Sequence, residues 1–264
     1  MVTHTGTAAQ GWYFYGITRS GSPESLGAPL QLLEYRGLAA VVRRVRLDVF
    51  GPEALRERLQ HASVLEEMVR SHNRVVDAIH GQRAILPAKF GVVHAHAEDV
   101  ISGLRPAHDA LVKRLGNVER CDEWAVHLYA DRATVRERTL LRNASIQRLR
   151  DERDAARPGR AYFLEQQLHA ALDAATEQEL DALARKALDQ LTQGAVAVET
   201  TPRRFAGEHG NEVEILRASF LVPRADTEDF ENRMSAEPNE GLRYEYSGPW
   251  PPYSFAVLDE EEAR

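Results

Sequence analysis

The chain has 264 residues, 43% of them hydrophobic and 28% charged, which is apolar material for one large core or two ordinary ones, and two domains are expected. A formal charge of −7 argues against nucleic acid as a main partner, since phosphate binding calls for a basic surface; a single cysteine, Cys121, leaves no intrachain disulfide and no multi-thiolate zinc site. No window approaches the ~18 consecutive apolar residues of a spanning helix, and residues 1–11 carry neither a basic nor an apolar targeting segment, so the sequence predicts a cytoplasmic protein with no membrane partner.

After a flexible polar leader at residues 1–11, Trp12 to Ile17 is aromatic and β-branched and reads as a strand, bounded by the Gly/Ser/Pro stretch from Ser20 to Pro29. Leu30–Tyr35 and Leu38–Val45 are two further strands joined by Arg36-Gly37 as a hairpin. From Pro52 the period changes. Leu55, Leu59, Ala62, Leu65, Val69, Val76 and Ile79 recur at three- and four-residue spacings, one face of a long helix. Ala84–Leu86 and Phe90–Val93, interrupted by Pro87, suit an edge or bulged strand, and a second helix is expected from Ala97 to Leu115.

Glu123–Tyr129 opens a second half dominated by helix. Pro158-Gly159 divides an Arg-rich piece, Arg132–Arg157, from an amphipathic one with Leu164, Leu168, Leu172, Leu183 and Leu191 on one face. Strands at Ala195–Thr201 and Val213–Val222, a helix at Thr227–Met234 and a strand at Leu242–Ser247 complete a βαββαβ order. The expectation is an α+β chain of two domains: 12–118, an antiparallel sheet with long helices, and 119–258, a ferredoxin-like domain with an extended helical insertion, followed by an acidic tail at 259–264. Prolines 249, 251 and 252 remove three ladder donors, so the chain is expected to leave the sheet there as a stiff segment carrying Trp250, Tyr253 and Phe255.

The sequence lacks GxxxxGK before Ser or Thr, GxGxxG, HExxH, GxSxG and CxxC. His94 and His96 would share a face of a strand, with His72 and His80 as further candidate ligands, but no acidic residue joins the pattern and no metal or other cofactor is predicted. His72 reads better as a partly buried side chain bonded to backbone at a helix-to-sheet interface than as a catalytic base, and Cys121, between Arg120 and Asp122, has no histidine neighbour to activate it. Paired carboxylates such as Glu66-Glu67 and Asp151-Glu152 read as solvated charge, so no catalytic residue is assigned. Between Arg132 and Arg160, nine arginines stand against four acids, an excess of five that includes Arg136, Arg142 and Arg150. That segment reads either as a docking surface for an acidic partner or as a solvated helix laced with ion pairs. The aromatic run from Tyr244 to Phe255 reads as packing, or else as a platform for a hydrophobic partner.

Several blocks in order along the chain resemble the gas vesicle protein L/F family: Tyr13–Ile17, His72-Asn73, Leu86-Pro87-Ala88-Lys89-Phe90-Gly91, Glu123-Trp124, Pro158–Leu164, Ala218–Val222, and Gly248-Pro249-Trp250-Pro251-Pro252-Tyr253-Ser254-Phe255. The resemblance implies an accessory protein needed to form gas vesicles, either an assembly factor or a minor wall component. It further implies contact with the very hydrophobic shell protein and with other gas vesicle accessory proteins. It implies no catalytic residue. With it, Phe90 and the tail aromatics Trp250, Tyr253 and Phe255 become candidate partner-binding residues, alongside Arg136, Arg142 and Arg150. The alternative is a regulatory protein binding a metal or small ligand.

Overall fold

The structure is a computed structural model that describes residues 9–21, 29–58, 60–201, 212–235 and 241–256. Most of the leader, most of the stretch from Ser20 to Pro29, Leu59 and the acidic tail lie outside the described residues. The fold is α+β with two antiparallel sheets.

The first sheet is built on β1 (Gln10–Arg19), β2 (Leu30–Tyr35) and β3 (Leu38–Arg46). Tyr35 pairs with Leu38, so Arg36 and Gly37 alone make the turn. Both hold positive φ, 48° and 84°, the handedness that matches the twist of a two-residue hairpin and that a glycine supplies without strain. On the other edge of β1 lie β4 (Ile85–Pro87) and β5 (Val93–His94), giving the order β2-β3-β1-β4 with β5 also on β1. Pro87 is thus an edge residue, where its missing N–H costs no ladder bond. The β1–β3 register shifts between Phe14 and Gly16, and Gly16 is where β4 comes closest: a Cβ there would stand 2.5 Å from the Leu86 carbonyl oxygen.

The long helix expected from Pro52 is two pieces, α2 (Pro52–Arg58) and α3 (Ala62–His80), preceded by the short α1 (Leu47–Phe50). Backbone bonds from Gln60 N–H to Glu57 and from His61 N–H to Arg58 close the chain over three residues, and His61 is extended before α3 restarts. Residues 60–63 are all exposed, so nothing apolar holds the helix together there. Likewise Pro106, which has no N–H to continue a helix, separates α4 (Ala97–Leu104) from α5 (His108–Asn117). Val76 and Ile79 of α3 pack on Tyr13, Tyr15, Val41, Val45 and Ile85.

The second sheet runs β9-β6-β8-β7, formed by β6 (Cys121–Asp131), β7 (Ala197–Thr200), β8 (Glu212–Pro223) and β9 (Leu242–Trp250). Between β6 and β7 stand α6 (Arg132–Arg142), α7 (Ala144–Asp154) and the 35-residue α8 (Pro158–Thr192); α9 (Thr227–Ser235) lies between β8 and β9. The Arg-rich piece is broken at Asn143, whose side chain accepts from Ser145 and Ile146 N–H and so starts α7 afresh. Leu180, Ala187 and Leu191 of α8 join Trp124, Val126, Leu128, Phe220 and Phe230 in the main core, whereas Leu168 and Leu172 make a separate small core with Ile146. β9 overruns the limit expected from its prolines: it continues through Pro249 to Trp250, because as an outer strand it needs ladder donors on one side only.

Contacts gather the chain into two compact units, residues 1–123 with 249–264, and residues 124–248. The sequence reading put the run from Pro249 onward in the second domain; its contacts place it in the first unit.

Candidate partner-binding site

The first unit gathers side chains that are far apart in sequence. His72, one turn before Val76 on the buried face of α3, is 2% exposed and stacks on the Tyr15 ring with centroids 5.4 Å apart. The Gly91 N–H donates to the Tyr13 hydroxyl at 3.1 Å, and that hydroxyl donates to His72 Nδ1 at 3.0 Å. This chain ties β1, α3 and the loop after β4 together. Burial lowers the His72 pKa, against a smaller pull from the Ala88 backbone, and burial pushes the Tyr13 hydroxyl up to about 12, so both groups are neutral at pH 7. Phe90 is half-buried with its ring edge-on to His72, and Gly91 turns the chain with a φ of 85°. His72 thus lies at the helix-to-sheet interface, but it is fully rather than partly buried, and its hydrogen bond at Nδ1 is to the Tyr13 side chain rather than to backbone.

Phe14, alternating with Tyr13 and Tyr15 along β1, turns to the other face. There it lines an apolar groove of about 580 Å³, with Leu86, Pro87, Ala88 and Val92 from the edge strands and loop and Val100, Gly103 and Leu104 from α4. Tyr253, Ser254 and Ala256 of the C-terminal run form its remaining wall, and Lys89, His94 and Asp99 contribute polar groups.

That run is held by four hydrogen bonds to three residues. Both carboxylate oxygens of the buried Glu123 accept from Ser254, one from its N–H at 2.8 Å and one from its hydroxyl at 2.5 Å. The Arg114 guanidinium donates to the Phe255 carbonyl at 3.1 Å, and the Tyr253 hydroxyl donates to Asn73 Oδ1 at 3.3 Å. Pro251, Pro252 and Phe255 are buried. Of the tail aromatics only Trp250 is largely open, at 50% exposure; Phe255 is 6% exposed and therefore a packing residue. Gly248 and Pro249 lie within β9. A further buried link joins His80 Nε2 to Asp122 Oδ1 at 2.7 Å.

Of the residues expected from sequence, Leu86, Pro87 and Tyr253 line the groove, His72, Phe90 and Gly91 gather around the Tyr13 ring on the other face, and Trp250 does not line the groove. Glu123, Arg114 and Gly103 were not read as site residues. The available signal for Glu123 was a carboxylate opening the largely apolar strand Glu123–Tyr129, within the Glu123-Trp124 block; Arg114 and Gly103 carried none. The candidate imidazoles do not converge. His72 and His80 are engaged as described, His94 ends β5, and His96 sits beyond the strand as the residue before α4. Among the described residues no three His, Cys, Asp or Glu side chains are grouped to hold a metal ion, and no helix is long and apolar enough to cross a membrane. Cys121 is buried at the start of β6.

The Arg-rich segment belongs to the second unit. Arg136 pairs with Asp173 at 3.3 Å, Arg132 pairs with Glu177, and Arg153 bridges Glu165 and Asp154 at 2.6 Å each. Arg142 and Arg150 have no carboxylate within ion-pair distance among the described residues. The segment is therefore only partly laced, and Arg136 belongs to the laced part.

The sequence model of the family described as "Gas vesicle synthesis protein GvpL/GvpF" matches residues 11–257. Gas vesicle protein L of a Streptomyces species is 31% identical over 257 residues, covering 94% of this chain and 91% of that protein. Gas vesicle protein L1 of Halobacterium salinarum is 24% identical, covering 95% and 92%. The crystal structure of the gas vesicle protein GvpF from an Anabaena species superposes with a TM-score of 0.66 at 19% identity over 95% of this chain and all of that one. The Microcystis aeruginosa GvpF structure gives 0.62 at 18%, over 94% and 99%. The groove and the buried clasp around Glu123 are therefore features of a chain that belongs to the gas vesicle synthesis protein GvpL/GvpF family.

Proposed function

We propose that this protein acts in gas vesicle assembly as a non-catalytic binder of the hydrophobic shell protein, using the apolar groove of the first unit, alongside other vesicle accessory proteins at the vesicle or in the cytoplasm. The observation that carries the reading is the groove itself. It is walled by Phe14, Leu86, Pro87, Val100 and Leu104, and its volume of about 580 Å³ suits a few large apolar side chains. A shell subunit destined to line gas exposes apolar surface before it polymerises, and such surface associates at random unless a partner covers it. Trp250, half exposed, and Phe90, half-buried, offer further aromatic contact.

The test is co-purification of the shell protein with two variants. Gly103 lines the groove, and a Cβ added there meets nothing within 4 Å, so Gly103→Phe fills the groove without disturbing backbone. Shell protein recovery should fall at least about tenfold with Gly103→Phe, roughly the loss of one buried hot-spot contact. Trp250→Ala should reduce it less. Full recovery with a folded Gly103→Phe protein would remove the groove from the reading.

A further inference from the structure

The start of α8 breaks two ordinary rules at once. Helix N-termini favour acids, whose charge complements the exposed N–H groups and the positive end of the macrodipole. Here the first turn holds no acid, the N-cap is Arg157 with no side-chain cap, and Arg160 follows two residues after Pro158. Neither Arg157 nor Arg160 has an ion pair among the described residues, in contrast to Arg132, Arg136 and Arg153. One turn on, Tyr162 and Phe163 are 64% and 69% exposed, edge-on to each other with centroids 6.0 Å apart. These two rings add nothing to the small core, which takes Leu168 and Leu172 from the same helix. Local choices that weaken a helix without serving its packing mark places where something else is served.

The position suits contact. At 1.5 Å per residue, Tyr162 lies roughly 27 Å along α8 from Leu180, the first α8 residue of the main core. α7 packs beside this end, joined through Arg153 and Glu165.

We propose that this tip, Arg157, Arg160, Tyr162 and Phe163, docks an acidic polypeptide segment that carries aromatic or aliphatic side chains. Charge selects the partner. Residues 132–160 carry an excess of five positive charges in a chain of net −7, so the remainder carries −12. A short acidic segment meets the basic tip alone, whereas an extended polyanion such as nucleic acid or an anionic bilayer also faces the acidic remainder. The rings decide further: an edge-on pair presents ridges that fit between apolar side chains, not the open parallel faces on which bases stack.

The test uses the full chain and a fluorescently labelled random copolymer of glutamate and tyrosine, with binding followed by anisotropy at low ionic strength. Arg157→Glu with Arg160→Glu, and separately Tyr162→Ser with Phe163→Ser, should each raise the Kd about tenfold or more, with an unchanged circular dichroism spectrum because all four side chains are exposed. Polyglutamate without tyrosine should bind more weakly, and added salt should weaken both. The proposal is overturned if either folded variant binds the copolymer like the parent. It is equally overturned if a single-stranded oligonucleotide or phosphatidylglycerol vesicles bind more tightly than the copolymer, or if the substitutions abolish self-association of the chain instead.

Discussion

His72 is placed where protonation is costly. Its ring is buried between Tyr15, Phe90 and the Tyr13 hydroxyl, its Nδ1 already accepts a hydrogen bond, and burial holds its pKa below the ordinary histidine value. The unfolded chain takes up a proton near pH 6.5, the folded chain only at lower pH, so between the two values the unfolded state binds more protons and stability falls as pH drops. The Tm should therefore decline from pH 7.5 to 5.5, and His72→Gln should show a shallower decline in the same thermal scans; an unchanged slope would place the sensitivity elsewhere. At neutral pH Tyr13→Phe leaves both the Gly91 N–H and His72 Nδ1 without their shared partner, which should cost about 1–3 kcal/mol by denaturant unfolding. Packing at His72 was legible in the sequence because the residue falls in register with Val76 and Ile79 on one helical face. Its partner was not, since nothing in the aromatic run Trp12–Tyr15 says which ring faces α3. That choice follows from strand alternation once β3 and β4 have fixed the register.

At the scale of elements, hydrophobic period located helices but not their breaks. The apolar spacing from Leu55 to Ile79 runs across two helices because the turn between them happens to preserve it, and the break is made by backbone closure among exposed residues that carry no periodic signal. The same holds at Asn143, a capping residue hidden inside an Arg-rich run. Asn143→Ala removes the acceptor for two N–H groups at the start of α7 and should cost about 1 kcal/mol in unfolding free energy, with the loss concentrated in faster hydrogen exchange of α7. The sequence pattern places most strand boundaries within two residues of the observed ones, except at Phe90–Val93, of which only Val93 joins a strand, and at the end of β9. β9 shows that proline ends a strand only where both edges must be paired. Which edge is free depends on the strand order of the whole sheet, and that is not a local property of Gly248–Phe255.

For the whole molecule, the last described residues are integral to the first unit. Ending the chain at Gly248 would strip the buried Glu123 carboxylate of both Ser254 donors and remove the buried Phe255. An unpaired buried carboxylate and a lost aromatic together amount to roughly 5 kcal/mol. Such a chain should melt about 10 °C lower, and Glu123→Gln, which keeps one acceptor, should melt in between.

The first unit is also discontinuous: residues 124–248 interrupt it, and its final wall is encoded at the end of the chain. During synthesis, which runs from the N-terminus at about 5–20 residues per second, the interrupting unit is complete before its host can close. Until Ser254 emerges, Glu123 waits without its donors and the groove is open along one side. An unfinished chain on the ribosome therefore lacks this wall of the groove, so the binding proposed above requires residues up to Ala256 to have emerged.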